Sequence, residues 1–212
     1  MKTQAQISAI IEELKKLYPD ALCSLEYQKD YELLFSVRLA AQCTDARVNL
    51  VTPALFARFP TLEAFAAATP DEVGEYVRSC GFWRAKAKDI VGSAQMLLHD
   101  FGGKVPDNMD DLLRLPGVGR KTANLVLGDI YGKEGYVCDT HCIRITGRLG
   151  ITDGSKDPLK VEQQLRKVIP SEESNNFCHR MVLHGRALCM ARGPKCEECP
   201  LKALCDYCAS RQ

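Results

Sequence analysis

The stretch Leu115-Pro116-Gly117-Val118-Gly119-Arg120-Lys121-Thr122-Ala123 permits few local structures. Two glycines one residue apart allow positive φ and a sharp reversal, and they strip the tip of side chains. Before the turn, Asn108 is a good N-cap for a brief helix through Leu113, with Asp110 and Asp111 in its first turn. After it, Thr122 to Ile130 is apolar enough for a buried helix that Gly132 can end. The pattern predicts a helical hairpin whose tip N–H groups point outward as a small anion nest at the start of the second helix. Such a nest suits a DNA phosphate, which positions a protein on the duplex and reads no bases. A Gly-x-Gly turn alone is more commonly a plain tight turn between packed helices. Lys121 falls in the first turn of the second helix, where the partial positive charge disfavours an ammonium and so favours a nucleophilic amine. Position alone still favours a solvated surface lysine.

The rest of the chain reads as helix after helix. The first runs from about Gln4 to Tyr18, with Ile7, Ile10, Ile11, Leu14 and Leu17 on one face. Glu32 to Cys43 is apolar on most sides and reads as a central buried helix. Thr44 or Asp45 caps the next, which Pro53 should kink or split. Thr61 caps a short helix through Ala67, and Thr69-Pro70-Asp71-Glu72 is a strong start signal for one that Gly81 ends. Ala87, Ile90, Val91, Ala94, Leu97, Leu98 and Phe101 trace one stripe of a long helix closed by Gly102-Gly103. Asp139 caps a helix through Arg148, Asp157-Pro158 opens another, and Ser171 to Met190 carries the last long one. No alternating apolar pattern marks a strand. The fold class is all-α.

With 212 residues, 46% of them apolar, the chain can bury a good core as one or two domains. No run is long and apolar enough to span a bilayer. The amphipathic N-terminal segment is unlike a signal peptide, and the eleven cysteines then imply reduced thiols or metal ligands in a prokaryotic cytosol. Net charge is only +1, but the segments 114–150 and 180–212 each carry six basic residues against three acidic ones. Charge separated in this way gives a basic face on a near-neutral protein. A mixed surface charge fits the same counts equally well.

A second constellation lies near the C-terminus. Cys189, Cys196, Cys199 and Cys205 are separated by six, two and five residues, in a loop that also holds Gly193, Pro194 and Pro200. Structural zinc usually takes paired Cys-x-x-Cys motifs, and these four cysteines contain only one, Cys196 with Cys199. A four-cysteine iron–sulfur cluster fits better. Cys208 is near enough to substitute for Cys205, although the spacing favours Cys205. Cys138 and Cys142 read as small buried apolar residues.

Taken together, the hairpin with Asn124, Cys138-Asp139-Thr140-His141, Leu183-His184-Gly185-Arg186 and the four-cysteine loop closely resemble endonuclease III. That family comprises helix-hairpin-helix DNA glycosylases with a [4Fe-4S] cluster. Leu39-Ala40-Ala41-Gln42-Cys43-Thr44-Asp45 and Gly81-Phe82-Trp83 extend the likeness to nearly the whole chain. The resemblance implies a six-helix domain over 21–133, ending in the hairpin at 109–131. It also implies a discontinuous cluster domain, 1–20 with 134–212 and the cluster loop at 189–205, and a DNA-binding cleft flanked by the two.

The activity so implied is base excision repair of damaged, oxidised pyrimidines in double-stranded DNA. Lys121 would displace the base and form a Schiff base, with strand cleavage 3′ to the abasic site by β-elimination. Asp139 would stabilise the sugar cation and move protons, besides capping its helix. Gln42 would bond the orphaned base and Phe82 would wedge between bases, a position where many relatives carry an aliphatic residue. Leu115, Gly117, Gly119, Arg120, Arg192 and Lys195 would complete the DNA contacts, and Cys189, Cys196, Cys199 and Cys205 would hold the cluster. The protein would act as a monomer in the cytoplasm, nucleoid-associated through DNA and independent of membranes. The alternatives are a monofunctional mismatch glycosylase of the same fold, which commonly lacks the lysine, and a non-enzymatic DNA-binding module.

Overall fold

The computed structural model describes residues 1–210. In chain order the α-helices are α1 (Gln4–Leu17), α2 (Asp30–Ala40), α3 (Asp45–Arg58), α4 (Leu62–Ala67), α5 (Pro70–Val77), α6 (Trp83–Asp100), α7 (Met109–Arg114), α8 (Arg120–Tyr131), α9 (Thr140–Leu149), α10 (Pro158–Val168), α11 (Ser174–Ala187) and α12 (Asp206–Ala209), joined by short 3-10 turns. Among the described residues there is no strand. None of their helices is long and apolar enough to cross a membrane. The chain packs as two units, Cys23–Tyr131 and Met1–Leu22 with Gly132–Gln212.

In the unit Cys23–Tyr131, α2 is the buried centre, with Leu33, Leu34, Phe35 and Leu39 almost wholly enclosed. Phe65 of α4 makes edge contacts with Phe35 and tilted contacts with Phe59, at ring separations of 5.0 and 5.1 Å. Geometry of this kind adds to the area term that dominates core energetics. The α6 stripe buries Ala87, Ile90, Val91, Ala94 and Leu97. Local signals set the helix starts: Thr69 and Glu72 form a reciprocal capping box, and Thr44, Thr61 and Asn108 each cap through the side chain.

Several elements depart from the sequence reading. α2 stops at Ala40, before Cys43: Ala41 leaves the helical region with ψ 112°, and Gln42 follows with a left-handed φ of 55°. α3 continues through Pro53 as one helix. α8 starts at Arg120, ahead of Thr122. α11 ends at Ala187, short of Met190, where the N–H groups of Leu188 and Cys189 both donate to the His184 carbonyl.

In the unit formed by Met1–Leu22 and Gly132–Gln212, α1 buries Ile7, Ile10, Ile11 and Leu14. Tyr136 is fully enclosed and donates its hydroxyl to the Ile169 carbonyl at 2.8 Å. Cys138, Cys142 and Cys178 are all buried, and the neighbouring Cys138 and Cys178 thiols, with burial, push the Cys142 thiol well above its ordinary range. These thiols behave as small core groups.

Phe65→Ala is expected to cost about 3–5 kcal/mol of stability in a denaturant titration, as large aromatic truncations do. A loss below about 1 kcal/mol would show that the ring cluster is not a core element.

Candidate functional site

The hairpin is built as a capped helix, a turn, and a second helix that starts without delay. The Asn108 side chain accepts from the Asp111 N–H at 3.0 Å, and Leu115 is buried at the exit of α7. The turn closes with the Val118 N–H donating to the Leu115 carbonyl at 3.1 Å. Gly117 has φ 71°, and a Cβ there would stand 2.4 Å from Arg38 Nε and 2.5 Å from Asp89 Oδ2. Those two side chains form an ion pair at 2.7 Å beneath the turn. Ser93 donates its hydroxyl to the Pro116 carbonyl at 3.1 Å.

The two glycines therefore have different jobs, contrary to the expectation that both serve positive φ. Gly119 is absent from the positive-φ residues, and a Cβ on it would meet nothing within 4 Å. Its carbonyl accepts the Ala123 N–H at 2.9 Å, which makes it the N-terminal residue of the α8 hydrogen-bond ladder. Arg120 and Lys121 follow at once and both are exposed. Lys121 thus stands in the first turn of α8, beside the helix N–H groups that lack intrahelical partners.

Gln42 and Phe82 belong to the same unit. Both are exposed, Phe82 at 71%, and both have positive φ. Phe82 is therefore not a loop residue packed on the core. It stands at the N-cap position of α6 with no capping side-chain bond, in a conformation that costs a bulky residue free energy.

Asp139 lies in the other unit. It is half-buried at the N-cap of α9, where Oδ1 accepts the Cys142 N–H at 2.7 Å. The cap holds the carboxylate rigidly.

The four loop cysteines line one partly open cavity, together with His184, Arg148 and Cys208. Among the described residues no three His, Cys, Asp or Glu side chains group as ligands of a single metal ion. The four thiols instead ring one shared space with apolar walls from Ile145, Leu149 and Leu188. That donor set and enclosure fit a cluster of four irons better than one zinc.

Sequence reasoning missed what holds this loop. Arg148 of α9 donates to the Cys189 sulfur at 3.3 Å and to the Met190 and Ala191 carbonyls at 2.7 and 3.1 Å. Arg144, one turn earlier, donates to the Cys189 carbonyl at 2.9 Å. His184 is pulled down to about 4 by burial and is therefore neutral. With the Tyr18 hydroxyl 3.2 Å from Nδ1, the consistent tautomer carries its proton on Nε2, which lies 3.6 Å from the Cys199 sulfur. Contacts of this kind orient and tune metal-bound thiolates. Arg192 and Lys195 are exposed on the same loop, around Gly193 at φ 60°.

An all-α chain with a helix-hairpin-helix turn, an exposed lysine at its second helix and a four-cysteine loop defines a DNA glycosylase with an iron–sulfur cluster. Residues 35–171 match the HhH-GPD superfamily of base excision DNA repair proteins, and residues 189–205 match the iron–sulfur binding domain of endonuclease III. The chain belongs to the endonuclease III family. It is 49% identical to endonuclease III of Synechocystis over 91% of this chain and 88% of the relative. To endonuclease III of Bacillus subtilis it is 40% identical, over 94% and 91%. A solved trapped endonuclease III–DNA covalent intermediate superposes with a TM-score of 0.93 at 42% identity, covering 100% of this chain and 99% of that one. The protein is a DNA-binding glycosylase and AP lyase of base excision repair that carries a [4Fe-4S] cluster.

The two hairpin glycines should separate on substitution. Gly117→Ala should destabilise the protein by at least about 1–2 kcal/mol, the cost of a left-handed non-glycine residue before any clash. Gly119→Ala should stay within about 1 kcal/mol of the parent or exceed it. Equal losses in a denaturant titration would contradict the division of roles.

Proposed function

We propose that the protein excises oxidised pyrimidines from duplex DNA with Lys121 as the nucleophile. The observation that carries this is an exposed amine in the first turn of α8, directly after a side-chain-free turn. A base inside a duplex is out of reach, so the nucleotide must be extruded, at about a few kcal/mol of lost stacking. The N–H groups of the hairpin tip, with Gly117, Gly119 and Arg120, grip a phosphate of the damaged strand. Leu115 anchors the hairpin from beneath. Gln42 bonds the orphaned base and Phe82 wedges into the stack.

With the sugar presented, the neutral Lys121 Nζ attacks C1′. The C1′–N bond breaks, its electron pair leaves with the base, and the base takes up a proton. Asp139 offers a fixed negative charge as the sugar becomes cation-like, and it accepts the proton that the new ammonium must lose. Ring opening gives the Schiff base between Lys121 and C1′. Loss of a C2′ proton then expels the 3′ phosphate, and water returns the free amine. The trapped covalent intermediate of the 42% identical endonuclease III supports a covalent route.

Cys189, Cys196, Cys199 and Cys205 hold the cluster. When bound, the cluster fastens the loop as a compact crosslink. Arg192 and Lys195 on that loop contact phosphates, and they add to the salt dependence of binding. The protein works as a monomer on damaged or abasic double-stranded DNA, in the cytoplasm of a prokaryote. The family assignment and its bacterial relatives support that reading.

Single-turnover assays on a duplex with one oxidised pyrimidine test the roles. Lys121→Ala should lose about 10³-fold or more in both base removal and strand cleavage. Asp139→Asn, which keeps the cap but loses the charge, should lose about 10²–10³-fold. Base removal that survives in Lys121→Ala while cleavage disappears would point to water as the nucleophile, as in a monofunctional glycosylase.

A further inference from the structure

Among the described residues, Gln42 at φ 55° and Phe82 at φ 46° are the only non-glycine residues with positive φ. Each such residue costs about 1–3 kcal/mol and persists only where its surroundings over-determine it. Neither is held by its own side chain, since both are exposed. What holds them lies behind, and one side chain reaches both loops.

Lys86, early in α6, is only 1% exposed. Its ammonium donates to the Leu39 carbonyl at 2.8 Å and to the Cys80 carbonyl at 2.5 Å. Leu39 lies in the last turn of α2, just ahead of Gln42. Cys80 closes the 3-10 turn Arg78–Cys80, just ahead of Phe82. The Cys80 thiol also lies near that of Cys43, the residue after Gln42, and burial together with that neighbour pushes it up to about 11.

The energetics argue that this ammonium does more than fill space. A buried cation with only neutral partners pays for desolvation with little Coulombic return. Burial lowers the pKa of Lys86, an effect that the nearby Cys43 and Cys80 thiols oppose. An apolar chain of similar volume would serve packing at least as well. Two carbonyls from separate loops, however, need a donor with more than one proton, and an ammonium has three.

We infer that Lys86 is a positioning residue that fixes the Gln42 and Phe82 loops to one another, so that the two side chains meet the duplex as one preset pair. The inference rests on the reading that these side chains enter DNA. Lys86 itself touches no reacting atom and acts through the two loops. It matters for opening the duplex and not for the chemistry at C1′.

The test uses the cluster-loaded Lys86→Met protein and two substrates. On a duplex with one oxidised pyrimidine and a neighbouring 2-aminopurine, both the fluorescence rise of base extrusion and single-turnover base removal should slow by about 10–100-fold, as expected for misplaced groups. On a single-stranded abasic oligonucleotide, which needs no extrusion, borohydride trapping should stay within about twofold of the parent. Extrusion at the parental rate would overturn the inference. So would a parallel loss on both substrates, which would mark general damage. Failure of the Lys121 reading would show separately, as absence of any adduct with the parent protein. Should Lys86→Met not fold, amide exchange in the unaltered protein decides. Segments 41–43 and 81–83 should then open together, with rates within about twofold, and a tenfold difference would overturn the coupling.

Discussion

Beneath Gly117 lies a pair of opposite charges, Arg38 from α2 and Asp89 from α6. The pair is half-buried, and its importance is geometric. It occupies the space that any side chain at position 117 would need. The turn is thereby restricted to glycine with positive φ. The same helix supports the loops that carry Gln42 and Phe82. Lys86, Asp89 and Ser93 of α6 face the Leu39 and Cys80 carbonyls, the turn and the Pro116 carbonyl respectively. Their spacing puts them on neighbouring turns of one helix. α6 is therefore both a core helix, through its apolar stripe, and a rail along which the functional loops are registered.

In the other unit α9 has a comparable double role. Asp139 caps its N-terminus, while Arg144 and Arg148, four residues apart, tie down the loop that begins at Cys189. A shift of α9 would thus move the carboxylate and the cluster loop together. His184 and Tyr18 brace the loop from α11 and from the end of α1. The cluster consequently rests in a frame of hydrogen bonds from this chain's own side chains and not in a free coil.

Much of this was legible in the sequence because it is encoded locally. Asn108, Thr69 and Asp139 announce helix starts through side chains that reach only three residues ahead. The α6 stripe repeats with the helical period, and the cysteine spacing confines four thiols to one loop. What stayed hidden depends on partners far along the chain. The apolar run through Ala41 gives no sign that α2 ends at Ala40, where the Leu39 carbonyl is met by Lys86 from 47 residues along the chain. The Arg38–Asp89 pair joins residues 51 apart in sequence. Gly117 and Gly119 look equivalent until the ion pair is seen under only one of them. Arg144 and Arg148 read as surface charge, and their loop carbonyls lie more than forty residues away.

The central claim is that the hairpin delivers one particular amine to the sugar. The most direct measurement is borohydride reduction of the protein on a duplex with a single abasic site, followed by proteolysis and mass mapping of the crosslinked peptide. The account predicts a stable adduct whose nucleotide remnant lies on Lys121. An adduct on any other lysine, or on the chain's terminal amine, would contradict it.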